Sequence, residues 1–343
     1  MALLTMPGCQ SQAAFQRWQQ SFSQPASPDQ LTPQKLAIIV NLDDPLSRQI
    51  ARYYQVRRGI PAANMIRIRF DPGQTVLPVE DFNTLWAQVQ RQTPARVQAY
   101  ALTWTQPYRV GCMSITAAFT FGFDPSFCAQ GCQPTAASPY FNSDRPNPFD
   151  NLHIRPTMAL AATSFGAASA LIERGLAADG TQPLGTAYLM ETSDSARNGR
   201  SQLYPETLAQ LSPQFNIQVI NDNQLNGRFD VMFYFTGLAR VSAIDTNQYQ
   251  PGAVADHLTS FGGQLTDSSQ MSSLHWLEAG ATGSYGTVVE PCNFPQKFPH
   301  PGVLMAHYLA GDTLVEAYWK SVLWPGQGLF IGEPLARPFD NAD

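Results

Sequence analysis

Charged side chains are scarce in this sequence of 343 residues. Lys and Arg number 21 and Asp and Glu number 26, so that charged residues make up 14% of the chain and the formal net charge is −5. A typical soluble domain has about 25% charged residues. A chain this poor in basic residues lacks the electrostatic footprint of a nucleic-acid-binding protein. We interpret the low charge, together with 27 Pro, as the composition of an exported protein.

Long apolar runs and nucleotide-binding motifs are also absent from the sequence. No run of 18 apolar residues occurs, which excludes a transmembrane helix. The patterns GxGxxG, GxxxxGK[ST] and GxSxG are missing, so neither nucleotide binding nor α/β-hydrolase chemistry is predicted. The hydrophobic fraction of 44% suffices for a sizeable core. We therefore expect a folded, globular protein without a cofactor.

The five cysteines are an odd number, which leaves one over if the others form disulfides. Cys128 and Cys132 are close enough in sequence for a local bridge, and Cys112 and Cys292 would then be the second pair. Four cysteines permit three pairings, and the sequence leaves them open. A zinc site is the alternative interpretation, but no His lies at ligand spacing near Cys128 and Cys132. We expect two disulfides and no metal.

The fifth cysteine lies near the start of the sequence. Gly8-Cys9 resembles the end of a lipoprotein signal, in which the thiol is lipidated after cleavage. The apolar stretch before it is short and no basic region precedes it, so an incidental Cys9 in a frayed N-terminus is the alternative. Residues 1–34 are predicted to be a signal remnant and tether. The protein is expected to be periplasmic or extracellular, with Cys9 as its sole membrane attachment.

From residue 35 onward, strand-like and helix-like patterns alternate. Short apolar runs such as 36–41 indicate strands that are buried on both faces, and amphipathic stretches such as 47–58 indicate helices. This order predicts a single α/β domain over residues 35–343, with a mainly parallel sheet and helices on both faces. The predicted strands are 35–41, 65–70, 97–104, 185–190, 216–221, 229–237, 281–289 and 329–334. The predicted helices are 47–58, 79–92, 167–177, 204–211, 272–278, 303–309 and 313–322.

The regular pattern breaks down between about residues 105 and 156. Gly, Pro, Asn, Asp and Phe dominate this stretch, and three of the cysteines fall in it. A loop of this length requires an explanation, which disulfide bridges would provide. We predict a loop-rich, disulfide-stapled insertion at one edge of the sheet.

Several short motifs are spread over most of the chain. They include Asp44-Pro45-Leu46-Ser47, Arg58-Gly59-Ile60-Pro61, Gly283-Ser284-Tyr285-Gly286 and Gly332-Glu333-Pro334-Leu335. Together they resemble an uncharacterised family of exported bacterial proteins that is distantly similar to gingipain-type cysteine peptidases. The resemblance implies a caspase-like, three-layer α/β sandwich.

The resemblance also implies a His-Gly pair after one central strand and a nucleophilic Cys after the next strand. This sequence has Thr236 before Gly237 at the first position, and Ser260 stands near the second. A thiolate–imidazole pair needs both of its members, so this mechanism does not carry over. The leading expectation is a non-catalytic protein that binds a peptide, a glycan or an envelope protein in the former substrate cleft. The alternatives are an active hydrolase that uses Ser260, with His257 as its base, or a carboxylate cluster, and a scaffold subunit of an envelope complex.

Polar residues follow several of the predicted strands. Ligands of open α/β sheets bind beyond the carboxyl ends of the strands, so we predict that these residues converge on one cleft. They are Asn41, Asp43, Asp194, Arg197, Thr236, Asp256 and Glu290. Two of the neighbouring features have structural alternatives, namely Asp44 as a helix cap and Asp194 with Arg197 as an ion pair. His300 and His307 lie in different local structures, so no metal role is predicted for them.

Overall fold

The computed structural model describes residues 30–129 and 131–340. The predicted lipid anchor at Cys9 and most of the predicted tether therefore lie outside the described residues. Within them, no helix is long and apolar enough to cross a membrane. The strands are β1 (Leu36–Asn41), β2 (Met65–Ile68), β3 (Val76–Leu77), β4 (Ala99–Leu102), β5 (Arg109–Val110), β6 (Met113–Ser114), β7 (Thr157–Ala159), β8 (Thr186–Glu191), β9 (Asn216–Asn221), β10 (Val231–Thr236), β11 (Tyr249–His257), β12 (Gly283–Thr287) and β13 (Gly328–Gly332). The helices are α1 (Pro45–Arg58), α2 (Val79–Gln92), α3 (Ile115–Phe121), α4 (Pro148–Leu152), α5 (Phe165–Ala178), α6 (Tyr204–Leu211), α7 (Leu274–Ala279), α8 (Pro301–Leu309) and α9 (Leu314–Ser321).

Ten of the strands form one central sheet in the order β2-β1-β4-β7-β13-β12-β11-β10-β8-β9. Neighbouring strands are parallel throughout, except for the antiparallel pair β12 and β13. The sheet thus consists of two five-stranded parallel halves that run in opposite directions. The prediction of an α/β fold with a mainly parallel sheet flanked by helices is confirmed.

This reversal gives the sheet two rims with different strand ends. We call the rim at which β1, β4, β7 and β13 end the first rim, and the opposite rim, at which β8, β10, β11 and β12 end, the second rim. The carboxyl ends of parallel strands are where ligands of α/β proteins bind. This molecule therefore has strand ends of that kind at both rims, on different halves of the sheet.

The local sequence explains the first strand and helix. All six residues of β1 are buried, as expected for a strand that is covered on both faces. The side chain of Asp44 accepts a hydrogen bond of 2.8 Å from the backbone N–H of Leu46 at the start of α1. Helix α1 ends at Arg58, and the residue that follows it, Gly59, has a φ of 63°, in the left-handed region that glycine adopts without strain. The prediction of Asp44 as a helix cap is confirmed.

The C-terminal part of the described chain forms the centre of the molecule. Strand β13 is the last of the described strands, and yet it lies in the middle of the sheet between β7 and β12. All eight residues of α9, which precedes it, are buried. The ring of Phe330 in β13 stacks on Trp319 of α9, with 4.2 Å between ring centroids, and meets Tyr285 of β12 edge-on at 5.0 Å. Strand β13 therefore joins the two halves through both backbone pairing and aromatic packing.

The insertion over residues 105–156 is rich in loops, but it does not lie at an edge of the sheet. Strands β5 and β6 form a small separate sheet with β3, and α3 packs against β7 and β13 in the middle of the large sheet. The first six of its seven residues are buried. The predicted position at an edge is wrong, because the apolar residues of α3 are needed to cover the central strands.

All four cysteines of the described chain form disulfides, as predicted, but the pairing differs from the first one considered. Cys112 is bonded to Cys128, and Cys132 is bonded to Cys292. A short 3-10 turn over Pro125–Phe127 brings Cys128 next to Cys112, with Cα atoms 5.5 Å apart. The prediction of a local bridge between Cys128 and Cys132 is therefore wrong, because Cys128 is already bonded to Cys112.

Candidate functional site

The second rim contains the two positions that the peptidase resemblance singled out. Thr236 ends β10 and His257 ends β11, and these two residues are partners in the parallel pairing of the strands. Ser260 follows three residues later. Thr236 and Ser260 thus lie at the carboxyl ends of neighbouring strands, which is the placement that the resemblance requires. The Thr236 hydroxyl is buried, with no hydrogen-bond partner among the described residues.

His257 is the imidazole closest to Ser260 in sequence, and both of its ring nitrogens are occupied. The indole N–H of Trp276 donates to Nδ1 over 2.9 Å, which leaves Nε2 to donate to the carbonyl of Met271 at 3.1 Å. The side chain is fully buried, and this burial lowers the pKa of His257 to about 3. At neutral pH the ring is uncharged and has no free lone pair. These bonds hold the ring in the core, and they leave neither nitrogen available to Ser260.

The segment that carries Ser260 is fastened to the end of β12. The hydroxyl of Thr287 donates to the carbonyl oxygens of Thr259 and Ser260 at 3.0 and 2.9 Å, and the N–H of Gly263 donates to the carbonyl of Thr287 at 2.9 Å. A side chain at Gly263 would collide with the backbone of Gly286, so this close approach depends on glycine. Ser260 itself is only 6% exposed. These contacts fix the backbone of Ser260 against the end of β12 and leave its side chain largely buried.

Asp256 forms a buried ion pair with Arg200. The Nη1 atom of Arg200 lies 2.5 Å from Oδ1 of Asp256, and Nη2 donates to the carbonyl of Thr236 over 2.7 Å. The two side chains are 2% and 0% exposed. Burial raises the pKa of Asp256, and the positive charge of Arg200 opposes that rise. Asp256 thus has a structural role, because it holds Arg200 in place against the end of β10. It is too buried to contact a substrate.

The partner of Asp256 was not identified from the sequence, although two signals pointed to it. Asp256 is the single charged residue in the apolar run of β11, and a buried carboxylate needs a cation or a proton. Arg200 lies in a 3-10 turn over Asn198–Leu203, shortly after β8. Strand β8 is the neighbour of β10 in the sheet. A buried acid and an arginine near the ends of adjacent strands predict an ion pair.

Asp194 and Arg197 supply exposed charge at the second rim. Nη1 of Arg197 donates to Asp194 over 2.8 Å, and the two side chains remain about a quarter exposed, at 23% and 25%. Nε of Arg197 donates to the hydroxyl of Thr259 at 3.1 Å, which in turn donates to Gln270 at 2.6 Å. The structural alternative of an Asp194–Arg197 pair is confirmed. Asp194, Arg197, Thr259 and Gln270 together form what we call the polar patch of the second rim.

Of the remaining members of the predicted cleft, two lie at the first rim and one lies at the second. Asn41 ends β1 at the first rim, where its amide donates to the carbonyl of Phe70 at 3.0 Å, and Asp43 forms an ion pair with Arg69. The prediction of one shared cleft is wrong for Asn41 and Asp43, because the two halves of the sheet run in opposite directions. Glu290 follows β12 at the second rim and accepts a hydrogen bond of 2.8 Å from the N–H of Cys292, which closes a turn.

The two histidines near the C-terminus have structural partners. Nδ1 of His300 accepts from the N–H of Val303 at the start of α8, and His307 lies between Asp312 at 3.0 Å and Asn142 at 3.1 Å. Within residues 30–129 and 131–340, no group of three or more His, Cys, Asp or Glu side chains is arranged to hold a metal ion.

No protein-family model matches the sequence, and no curated protein is similar to it by sequence. Three solved structures have a similar chain path. One, described as a protease, has 9% identity and a TM-score of 0.44 over 90% of this chain and 79% of that chain. The complex of the pro- and mature domains of RgpB from Porphyromonas gingivalis has 8% identity and a TM-score of 0.45, over 88% and 79%. The Arg-specific cysteine proteinase gingipain R has 12% identity and a TM-score of 0.42, over 90% and 79%.

With identities of 8–12% and TM-scores of 0.42–0.45, this similarity concerns the path of the chain and says nothing about its chemistry. The chain is similar, at this distance, to gingipain-type cysteine peptidases, as the motifs of the sequence predicted.

Proposed function

We propose that this chain is an exported protein of peptidase-like fold that has no peptidase activity and acts by binding. The observation that supports the proposal most is the state of His257. Its two ring nitrogens are bonded to Trp276 and Met271, and its burial keeps it neutral. A serine or thiol nucleophile requires an adjacent base that can accept its proton, and this imidazole has no free position for one.

The nucleophile side of the argument leads to the same proposal. Every cysteine in residues 30–129 and 131–340 is bonded to another cysteine, so the described part of the chain offers no thiolate. Ser260 is largely buried, and Asp256 is neutralised by Arg200. A carboxylate cluster at the second rim would need two free acids close together, whereas Asp194 and Asp256 each face an arginine.

The polar patch of the second rim is the proposed binding surface. Asp194, Arg197 and Gln270 are partly exposed and offer charged and uncharged hydrogen-bonding groups beyond the carboxyl ends of β8, β10 and β11. The buried hydroxyl of Thr259 links Arg197 to Gln270 beneath them. Such a mixture suits the amides of a peptide or the hydroxyls of a glycan, because each presents donors and acceptors together. Export is supported by the two disulfides, since such bonds persist in oxidising compartments.

Covalent labelling tests whether catalysis has been lost. The full chain is treated with a fluorophosphonate probe, next to the variant Ser260→Ala and the control Ser195→Ala, which removes an exposed serine near the same rim. We expect no labelling of any of the three proteins, and no cleavage of a mixed peptide library. Labelling of the unmodified chain that disappears only in Ser260→Ala would contradict the proposal.

Binding is tested separately with peptide and glycan arrays. We expect the full chain to bind members of one array and Arg197→Ala to bind them at least about tenfold more weakly, a loss of about 1.4 kcal/mol. The control is Arg91→Ala, which removes an exposed arginine from α2. Equal binding by Arg197→Ala and the unmodified chain would exclude the polar patch, and no binding to either array would refute a peptide or glycan ligand.

A further inference from the structure

A small cavity opens at the first rim, beyond the carboxyl end of β7. Its volume is about 190 Å³. One wall is the segment Ala161–Thr163 that follows β7, and the others are faces of α5 and α7. After β7 the chain crosses through α5 to β8 in the other half of the sheet, so the cavity lies where the order of the strands switches, a preferred place for ligands in α/β folds.

The cavity is apolar apart from a few groups, and one of these is a cation. Its walls are built mainly from alanine and leucine side chains, and Arg174 of α5 projects among them. Nη2 of Arg174 donates to the carbonyl oxygens of Leu277 and Ala281, at 2.8 and 2.9 Å. These two bonds fix the guanidinium against the end of α7, so that its orientation is already set before any ligand arrives.

Arg174 has no carboxylate partner among the described residues. Its Nε is buried without a hydrogen bond, whereas Arg58, Arg197 and Arg200 all form ion pairs. Burial lowers the pKa of the Arg174 guanidinium. An arginine nevertheless stays protonated in proteins. A charge that is partly removed from water and left unpaired is costly, and an anionic ligand would offset that cost.

We infer that this cavity binds a small ligand with a single carboxylate on a short apolar group, the carboxylate facing Arg174 and the apolar group lying among the alanines. An apolar cavity of about 150 Å³ holds a benzene molecule, so the space suits a side chain of similar or slightly larger size. The N-terminus of α5, whose residue Ala167 lines the cavity, adds a favourable dipole for an anion.

Glu278 restricts the ligand to a single negative charge. This residue also lines the cavity, and it is paired with His275 at 3.0 Å on the exposed side of α7. A second carboxylate on the ligand would meet the charge of Glu278, so a dicarboxylate is disfavoured. The matching ligand is a free monocarboxylic acid or the C-terminal residue of a peptide, which share the same chemistry.

This inference goes beyond the proposed function, because the cavity lies at the opposite rim from Ser260 and the polar patch. A carboxylate would bind there whether or not the chain hydrolyses any substrate. The labelling of Ser260 and the binding of a carboxylate are therefore independent measurements, and the failure of one leaves the other intact.

Titration calorimetry on the full chain tests the ligand chemistry with four probes. They are 3-phenylpropionate, its neutral amide, N-acetyl-alanyl-leucine with a free carboxylate, and the C-terminal amide of that dipeptide. We expect at least one carboxylate probe to bind with a Kd of about 1 mM or tighter, and both amides to bind at least about tenfold more weakly. The better of the two acids identifies the source of the ligand. Equal binding of an acid and its amide, or no binding of either acid, would overturn the inference.

Two variants test the site itself. Arg174→Met removes the charge and should weaken binding of the acid at least about tenfold, because the carboxylate loses a charged hydrogen-bond donor. Ala170→Leu, at the exposed mouth of the cavity, should abolish binding by filling the space, and it keeps the test valid if Arg174→Met fails to fold. Arg91→Met is the control and should bind like the unmodified chain. Undiminished binding by Ala170→Leu would place the ligand elsewhere and refute the site.

Discussion

His257 and His300 are held neutral inside the protein. Burial lowers the pKa of both to about 3, from about 6.5 in an unfolded chain. Between these values the unfolded chain binds a proton at each histidine and the folded chain does not. The contribution of these two histidines to the free energy of unfolding is therefore fully present above about pH 6.5. It is lost as the pH falls towards 3, because proton uptake favours the unfolded state.

The pH dependence can be assigned to a single ring with a variant. His257→Gln keeps an acceptor for Trp276 and a donor for Met271, but it does not titrate. We expect the free energy of unfolding of the unmodified chain to fall by about 2–3 kcal/mol per buried histidine between pH 6.5 and 4.5. For His257→Gln the fall over the same pH range should be smaller by the contribution of one histidine. Urea denaturation at a series of pH values measures this difference.

The control for that experiment is His275→Gln, since His275 is exposed on α7. It should retain the full pH dependence of the unmodified chain. If His257→Gln and the unmodified chain lost stability in parallel as the pH fell, His257 would not be the buried, neutral ring that the non-catalytic proposal requires.

The two disulfides differ greatly in the length of chain that they close. The Cys112–Cys128 bridge lies within the insertion and spans 16 residues, whereas Cys132–Cys292 spans 160 residues and ties the insertion to the loop after β12. A disulfide stabilises a protein mainly by reducing the freedom of the unfolded chain, and the effect grows with the length of the closed loop. The longer bridge should therefore be the more stabilising of the two.

Paired serine substitutions test this order. We expect Cys132→Ser with Cys292→Ser to cost about 5 kcal/mol and Cys112→Ser with Cys128→Ser to cost about 3 kcal/mol, by the entropy of loop closure. Thermal and urea unfolding of the two double variants provide the comparison. A larger loss from the shorter bridge would mean that strain or packing, and not chain entropy, sets the contribution of these disulfides.

The sequence predicted the elements well where hydrophobic periodicity is strong. Helix α6 and strand β9 were predicted at 204–211 and 216–221, and the structure has Tyr204–Leu211 and Asn216–Asn221. Helix α3 was not predicted, because its residues are apolar on almost every side. It therefore lacks the one-sided pattern of a surface helix. The pairing of the cysteines was beyond the sequence, since it depends on how the insertion folds back on itself.

The predicted cleft failed for a reason of topology. It assumed that all strands end at the same rim, and the antiparallel pairing of β12 with β13 reverses half of them. Nothing in the apolar run of β13 indicates its direction, because direction is set by the path of α8 and α9 before it. Asp194, Arg197 and Thr236 were nevertheless placed at one rim correctly, since β8 and β10 are direct neighbours.

Within the large sheet, the two halves are joined by the pairing of β12 with β13. The free energy of unfolding should therefore be especially sensitive to substitution of Phe330 in β13. Its ring is fully buried between Trp319 and Tyr285. We expect Phe330→Ala to lower the free energy of unfolding by about 3–5 kcal/mol. Phe229→Ala is the control, since Phe229 is 69% exposed, and it should change stability by less than about 0.5 kcal/mol. Urea denaturation measures both, and equal effects would show that β13 is not the joint between the halves.

The position of β13 also governs when the protein is able to fold during its synthesis. The ribosome makes the chain from the N-terminus, so nine strands of the large sheet emerge before the one that belongs in its middle. Until residue 332 has left the ribosome, β7 and β12 lack the strand that lies between them. The two halves of the sheet therefore cannot be joined until all nine of its other strands have been made.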